Sequence, residues 1–171
     1  DVIFFDPAKK GSASKSEVND CDLGVVCVPT PMASDRSCDL SIVEETIGWL
    51  DTPLILLKST VELGTTERLR KKTGKRIVFS PEYCGESTYW SPYDFHTDVK
   101  ETPFFIFGGD ERDASKMVDF LMPVVGPTKR YVKTDATSAE LAKYMENSFY
   151  ATKITFCYEM KNICDALGSD Y

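Results

Sequence analysis

The sequence has no long hydrophobic run, no closely spaced cysteine pair and a single histidine, His96. A membrane span needs roughly 18 consecutive apolar residues, and no segment approaches that length. The N-terminus has neither the basic region nor the cleavage signal of a secretory leader. The six cysteines are scattered, which is typical of reduced thiols and not of a metal site. We therefore expect a soluble cytoplasmic protein without a metal.

Basic residues are in the minority, with 20 Lys and Arg against 27 Asp and Glu. The net charge of -7 argues against nucleic acid or an anionic membrane as the partner. At 171 residues, of which 42% are hydrophobic and 27% charged, the chain has the composition of one globular domain with a core.

Short apolar runs rich in β-branched and aromatic residues alternate with segments of helical periodicity. The runs predict strands at residues 2–5, 23–28, 54–57, 77–79, 104–107 and 130–132. Helices are predicted at residues 41–50, 65–72 and 111–121. Continuously apolar strands that alternate with helices indicate an α/β fold, a Rossmann-like parallel sheet with helices on both faces.

From residue 135 onward the pattern becomes that of one long helix. Apolar residues recur at helical spacing for over 30 residues, without proline or glycine before Gly168. The spacing predicts a cap near Thr137 or Ser138. We therefore divide the chain into a dinucleotide-binding domain at residues 1–134 and the start of a linking helix at residues 135–171.

Ligands of such a sheet collect at the carboxyl ends of its strands. The first predicted strand ends in Asp6, and an acidic residue there accepts hydrogen bonds from a ribose, although the sequence alone favours a turn aspartate before Pro7. The second ends in Val28, followed by Pro29, Thr30 and Pro31, where the prolines stiffen the backbone around a hydroxyl or form a plain rigid turn.

The third and fourth strand ends carry hydroxyls and carboxylates. Thr60 precedes a helix start at residues 64–66, which predicts either an anion site or an ordinary helix cap. Glu82 and Glu86 lie four residues apart in a long loop, a pattern that suits proton transfer but is also common among solvated loop acids.

The long helix carries Lys143 and Asn147 at positions i and i+4, on one face. An ammonium beside an amide can hold an oxyanion, whereas a surface pair without a role has the same spacing.

Four blocks share their order and spacing with one enzyme family. The blocks are VCVPTP (26–31), KSTVELGTT (58–66), SPEYCGES (80–87) and AELAKYMENSFYATKITFCYEM (139–160). Together they resemble the UDP-glucose/GDP-mannose dehydrogenase family over nearly the whole chain. The resemblance implies an enzyme that uses NAD to oxidise the C6 hydroxyl of a nucleotide-linked sugar twice, to the uronate, through a cysteine thioester.

The same resemblance implies roles for individual residues. NAD would be bound by Asp6 at the adenosine ribose and by Val28, Thr30, Pro31, Thr60 and Glu86. The catalytic residues would be Thr60 beside the nicotinamide and a water molecule, Glu82 as general acid and base, and Lys143 with Asn147 as oxyanion donors. The sugar would contact Glu82, Tyr83, Cys84, Glu86, Lys143 and Asn147.

Two family motifs are absent from the 171 residues, the G-x-G-x-x-G turn that cradles the pyrophosphate and the later motif that carries the nucleophilic cysteine. The family's N-terminal strand, which precedes that turn, is expected to be missing as well. We therefore expect the chain to be an incomplete part of the enzyme, inactive alone. The family's long helix implies a homo-oligomer through that helix.

The substrate and the function class stay open to alternatives. UDP-glucose is the expected substrate, and GDP-mannose or a UDP-N-acetylhexosamine is the alternative, because SPEYCGES departs from the commoner NPEFLREG form. A non-catalytic assembly protein derived from a dehydrogenase fragment would also tolerate the two missing motifs. A different NAD oxidoreductase, such as a hydroxyacid dehydrogenase, would share the strand ends but not the loop with Glu82 and Glu86.

Overall fold

A computed structural model describes residues 1–83 and 98–171. The helices are α1 (Lys15–Asn19), α2 (Ser41–Trp49), α3 (Thr65–Thr73), α4 (Glu111–Val125) and α5 (Ala136–Leu167). The strands are β1 (Gly24–Val26), β2 (Ile55–Leu57), β3 (Ile77–Phe79), β4 (Phe104–Gly108) and β5 (Arg130–Thr134).

Within the described ranges, one sheet has the strand order β1-β2-β3-β4-β5. Strands β1, β2 and β3 are parallel to each other, and β5 is parallel to β4. The sheet differs from the all-parallel expectation at one place, because β4 pairs antiparallel with β3 through Phe79 and Gly108. The predicted α/β fold is confirmed, and β4 and β5 run against the direction of the first three strands.

Alternating side chains of the strands build two cores, one on each face of the sheet. On one face, the core joins strand residues such as Leu57 and Phe79 to α2, α3 and the start of α5. On the other, Leu56 and Phe107 pack with α4. Strands β2 and β3 are buried along their whole length, which explains their continuously apolar sequences.

The strand predicted at residues 2–5 is wrong. The backbone there closes the following turn, since the Ala13 N–H donates to the Phe4 carbonyl at 2.8 Å. Val2 is 98% exposed, and Phe5 packs edge-on against Trp49 with ring centroids 5.1 Å apart. The segment therefore lies beside the end of α2 and adds no strand to the sheet.

The N-cap of helix α5 lies two or three residues before the predicted one. Its cap is Asp135, whose Oδ1 accepts the Ser138 N–H at 2.8 Å, while the Ser138 hydroxyl donates to Oδ2 at 2.6 Å. The prediction of a cap at Thr137 or Ser138 was wrong because Asp135 lies three residues before Ser138, the spacing at which an N-cap carboxylate accepts a backbone N–H of the first turn.

Helix α5 has 32 residues, and those that it buries are Ala136, Ala139 and Glu140. The rest of the helix leaves large apolar side chains exposed, among them Met145, Phe149 and Ile154. Among the described residues, no helix combines the length and apolar character needed to traverse a bilayer.

Candidate functional site

The loops that follow β1 and β2 are joined by hydrogen bonds. The Val28 N–H donates to the Ser59 Oγ at 2.9 Å, and the Ser59 hydroxyl returns a bond to the Val28 carbonyl at 2.8 Å. The Thr30 hydroxyl donates to the Thr60 carbonyl at 2.8 Å. The structure therefore brings together the two strand ends that the sequence predicted for cofactor binding.

Two lysines meet Glu82 at the end of β3. The Lys58 Nζ lies 3.3 Å from the Glu82 Oε2, and the Lys143 ammonium donates to the Glu82 backbone carbonyl. The Glu82 Oε1 also accepts the Tyr83 N–H at 2.8 Å. The side chain of Lys143 crosses from α5 to the strand end, so that two positive charges flank one carboxylate and one carbonyl.

Tyr83 contributes an aromatic surface to the same cluster. The Lys143 Nζ lies 5.1 Å from the centroid of the Tyr83 ring, a cation–π contact. Burial, reinforced by the charge of Glu146, raises the pKa of Tyr83 to about 12. The phenol therefore keeps its proton at neutral pH and can donate a hydrogen bond.

A buried carboxylate ties the long helix to the same edge of the sheet. Glu140 is fully buried, and its two oxygens accept the backbone N–H groups of Gly64 at 2.5 Å and of Thr66 at 2.9 Å. The Thr66 hydroxyl adds a bond of 2.7 Å. The carboxylate thus satisfies the otherwise unpaired donors at the N-terminus of α3 and interacts with its dipole.

Sequence reasoning did not single out Lys58, Ser59 or Glu140. Lys58 and Ser59 directly precede Thr60, and this adjacency was the available signal. Glu140 had a weaker one, since it lies three residues before Lys143 on the same helix.

The other predicted residues lie in different surroundings. Asp6 is in an N-terminal turn, where its Oδ1 accepts the Ala8 N–H at 3.0 Å, as the turn interpretation expected. The Pro31 carbonyl accepts the Asp39 N–H at 2.8 Å, and Asn147 is exposed on α5, one turn after Lys143. Cys84 and Glu86 lie outside the described residues.

The strand-end residues fit one half of a dinucleotide. Val28, Thr30 and Thr60 are half-buried, and they present apolar carbon and hydroxyl groups at a sheet edge, which suits a nicotinamide and its ribose. For the diphosphate, the sequence offers no glycine-rich turn among its 171 residues, so no residue is assigned to it.

The fold and these strand ends define the chain as a domain of the Rossmann type, with its candidate site at the carboxyl ends of β1, β2 and β3. Residues 9–121 match the NAD binding domain of the UDP-glucose/GDP-mannose dehydrogenase family, and residues 137–171 match the central domain of that family. The chain therefore belongs to the UDP-glucose/GDP-mannose dehydrogenase family, and the predicted cofactor, NAD, is confirmed.

Relatives within the family differ in the sugar that their names give. UDP-glucose 6-dehydrogenase YwqF of Bacillus subtilis is 32% identical over 164 residues, which cover 87% of this chain and 35% of that protein. A UDP-glucose dehydrogenase from Pyrobaculum islandicum is 29% identical with a TM-score of 0.76, covering 91% of this chain and 38% of that one. GDP-mannose dehydrogenase from Pseudomonas aeruginosa is 25% identical with a TM-score of 0.72 and the same coverage.

The chain thus spans little more than a third of the length of these three relatives. The similarity establishes the family and the NAD-binding fold. It leaves the nucleotide sugar open, because both UDP-glucose and GDP-mannose enzymes match at similar levels.

Proposed function

We propose that this chain forms the cofactor-binding part of an enzyme that oxidises the C6 hydroxyl of a UDP-sugar, with UDP-glucose as the substrate. The arrangement of Lys58 and Lys143 around Glu82 carries the proposal. Two ammonium groups lie beside the Glu82 carboxylate at the carboxyl ends of the strands, in a chain whose net charge is -7. Such a site suits an oxygen that becomes negative during reaction.

Glu82 is proposed as the group that exchanges a proton with the sugar hydroxyl, through a water molecule held near Thr60. Its carboxylate is 3.3 Å from the Lys58 ammonium, and its Oε1 also accepts the Tyr83 N–H, so its orientation is fixed from two sides. A base that is held in one orientation loses less entropy when the substrate arrives.

Lys143 is proposed as the oxyanion donor. An ammonium has three N–H donors, and the bond to the Glu82 carbonyl uses one of them while keeping the charge at the strand end. Asn147, one turn further along α5, is proposed to add an amide donor to the same oxygen. Tyr83 is proposed to border the sugar with its ring.

The cofactor is proposed to lie with its nicotinamide over Val28, Thr30, Pro31 and Thr60. NAD, when bound, accepts the hydride that leaves the oxidised carbon. The residues of this chain would hold the ring against the sheet edge and exclude water from it. Asp6 as the ribose ligand, and Cys84 and Glu86 as sugar and cofactor contacts, stay predictions.

Three further expectations also stay predictions. They are the division into residues 1–134 and 135–171, the cytoplasmic location and a homo-oligomer formed through α5. The exposed apolar side chains of α5, such as Phe149 and Ile154, support the last of these.

The proposal is tested in the full-length protein by following NADH absorbance with UDP-glucose, UDP-N-acetylglucosamine and GDP-mannose. Lys143→Ala is expected to lower kcat by roughly 100-fold to 1,000-fold and to change KM less, since the ammonium meets charge that appears in the transition state.

Lys161→Ala is the matched control, because Lys161 lies on the same helix and pairs with Asp165 at 2.7 Å. It should leave the kinetics unchanged. A raised KM with unchanged kcat in Lys143→Ala would contradict the oxyanion role. A wild-type protein that reduces NAD with none of the three sugars would contradict the proposed function.

A further inference from the structure

Helix α5 is held at its beginning by two contacts of different kinds. One is steric, since a Cβ on Gly108 would lie 2.4 Å from the Ala139 Cβ, so glycine allows the helix to rest directly on β4. The other is the buried carboxylate of Glu140, which accepts two N–H groups and a hydroxyl from the N-terminus of α3. Beyond these residues, α5 is largely exposed.

The second contact joins one side of α5 to the N-terminus of α3. Glu140 and Lys143 are three residues apart, on the same side of α5. A rotation that withdrew Glu140 from α3 would therefore also withdraw Lys143 from the Glu82 carbonyl. The bonds of Glu140 go to Gly64 and Thr66, which follow the loop that contains Thr60, and the bond of Lys143 goes to Glu82, which follows the neighbouring strand β3.

We propose that Glu140 is a positioning residue that sets Lys143 at the strand end by fixing the rotation of α5 against the N-terminus of α3. Glu140 takes no part in the chemistry itself, because its carboxylate is fully buried and both oxygens already accept hydrogen bonds from α3. The kinetic part of this inference rests on the proposed function, whereas the placement of Lys143 does not.

The chain offers a matched control in Asp113, a second buried carboxylate. Asp113 lies in α4 on the other face of the sheet, and its Oδ1 accepts the Arg76 Nε–H at 2.9 Å. Arg76 precedes β3, whereas Glu82 follows it, so the two sites lie at opposite ends of one strand. Asp113→Asn should therefore cost stability without moving Lys143.

The experiment compares Glu140→Gln and Glu140→Asp with Asp113→Asn in the full-length protein. In Glu140→Gln an amide NH₂ group replaces one oxygen, so a donor faces the donor N–H of Gly64 or of Thr66 and one hydrogen bond is lost. In Glu140→Asp the charge is kept on a shorter side chain, so it should recover part of the effect if the carboxylate is what matters.

The first measurement is the rate at which acetic anhydride modifies Lys143, with Lys161 in the same sample as the internal reference. Bonded to the Glu82 carbonyl, Lys143 should react slowly in the wild type and in Asp113→Asn. It should react several times faster in Glu140→Gln and at an intermediate rate in Glu140→Asp. Samples are kept below their thermal midpoints so that unfolding does not contribute.

The second measurement is the kinetics with the nucleotide sugar. Glu140→Gln should lower kcat by about 10-fold to 100-fold, the range for a misplaced reacting group, with a smaller change in KM. Asp113→Asn should keep the wild-type kcat. Modification rates and kcat values in Glu140→Gln that equal those of Asp113→Asn would overturn the positioning role. If the wild type oxidises no nucleotide sugar, the proposed function fails, and the modification rate of Lys143 still decides the role of Glu140.

Discussion

Tyr83 shows how a single side chain connects the strand end to the stability of the protein. Burial, with the charge of Glu146 as a smaller cause, raises its pKa to about 12, above the ordinary value of about 10. The folded protein therefore binds the phenolic proton more tightly than the unfolded chain. The resulting stability is complete below pH ~10 and is lost as the pH rises toward ~12.

This pH dependence is measurable by urea unfolding. The unfolding free energy of the wild type, minus that of Tyr83→Phe, should decrease as the pH rises from about 10 toward about 12, the interval set by the two pKa values. Tyr150→Phe, a change on the exposed part of α5, serves as the control. A difference that stays constant over this interval would show that Tyr83 ionises as it does in the unfolded chain.

Among single residues, the sequence predicts as site residues those that directly follow an apolar run. Strand ends are visible in a sequence, which therefore predicts Thr30, Thr60 and Glu82 as site residues, and their roles stay predictions. Glu140 could not be selected in the same way. Its partners include backbone N–H groups 74 and 76 positions earlier, and a backbone donor leaves no mark on the sequence.

Among the described glycines, Gly108 is the one at which an added Cβ would make the shortest contact, and that contact is between β4 and α5. A Cβ at Gly108 would meet the Ala139 Cβ at 2.4 Å and the Asp135 carbonyl oxygen at 2.9 Å. Gly108→Ala should therefore lower the free energy of unfolding by about 1–3 kcal/mol. Chemical denaturation measures this change.

The matched variant is Gly48→Ala, because a Cβ there meets nothing within 4 Å and the residue lies inside α2. It should stabilise the protein by up to about 1 kcal/mol. Equal effects in the two variants would mean that α5 shifts freely on the sheet and that the contact does not hold it.

The short apolar runs and the helical spacing of apolar residues predicted most of the strands and helices, and the errors have local causes. Residues 2–5 have a strand-like composition, but their backbone bonds close a turn, which composition does not reveal. The direction of β4 was also missed, because an apolar run does not show in which direction its strand runs, and the pairing of Phe79 with Gly108 makes β4 antiparallel to β3.

At the scale of the whole molecule, the exposed apolar face of α5 leads to a prediction about assembly. Ile154 is 57% exposed on this helix, together with the neighbouring large side chains of Phe149 and Tyr158. If two copies associate there, Ile154→Asp in the full-length protein should place a charge in an apolar contact and dissociate the oligomer. Sedimentation velocity measures the mass.

Thr155→Asp is the control, since Thr155 is an exposed polar residue next to Ile154 on the same helix. It should leave the mass of the wild type unchanged. A wild-type protein that sediments as a monomer at all concentrations would contradict an oligomer through α5.

The attachment of α5 at one end also gives the helix the mechanics of a lever. About 40 Å of the helix lies beyond Glu140, at a rise of about 1.5 Å per residue, whereas the buried fulcrum is confined to its first turns. A tilt of about 5° at the fulcrum would move the far end by about 3.5 Å over that length. Small shifts at the strand ends would therefore become larger displacements at Phe156 and Ile163, which are exposed on the far part of α5. The size of these displacements would depend on how rigidly the first turns of α5 are held.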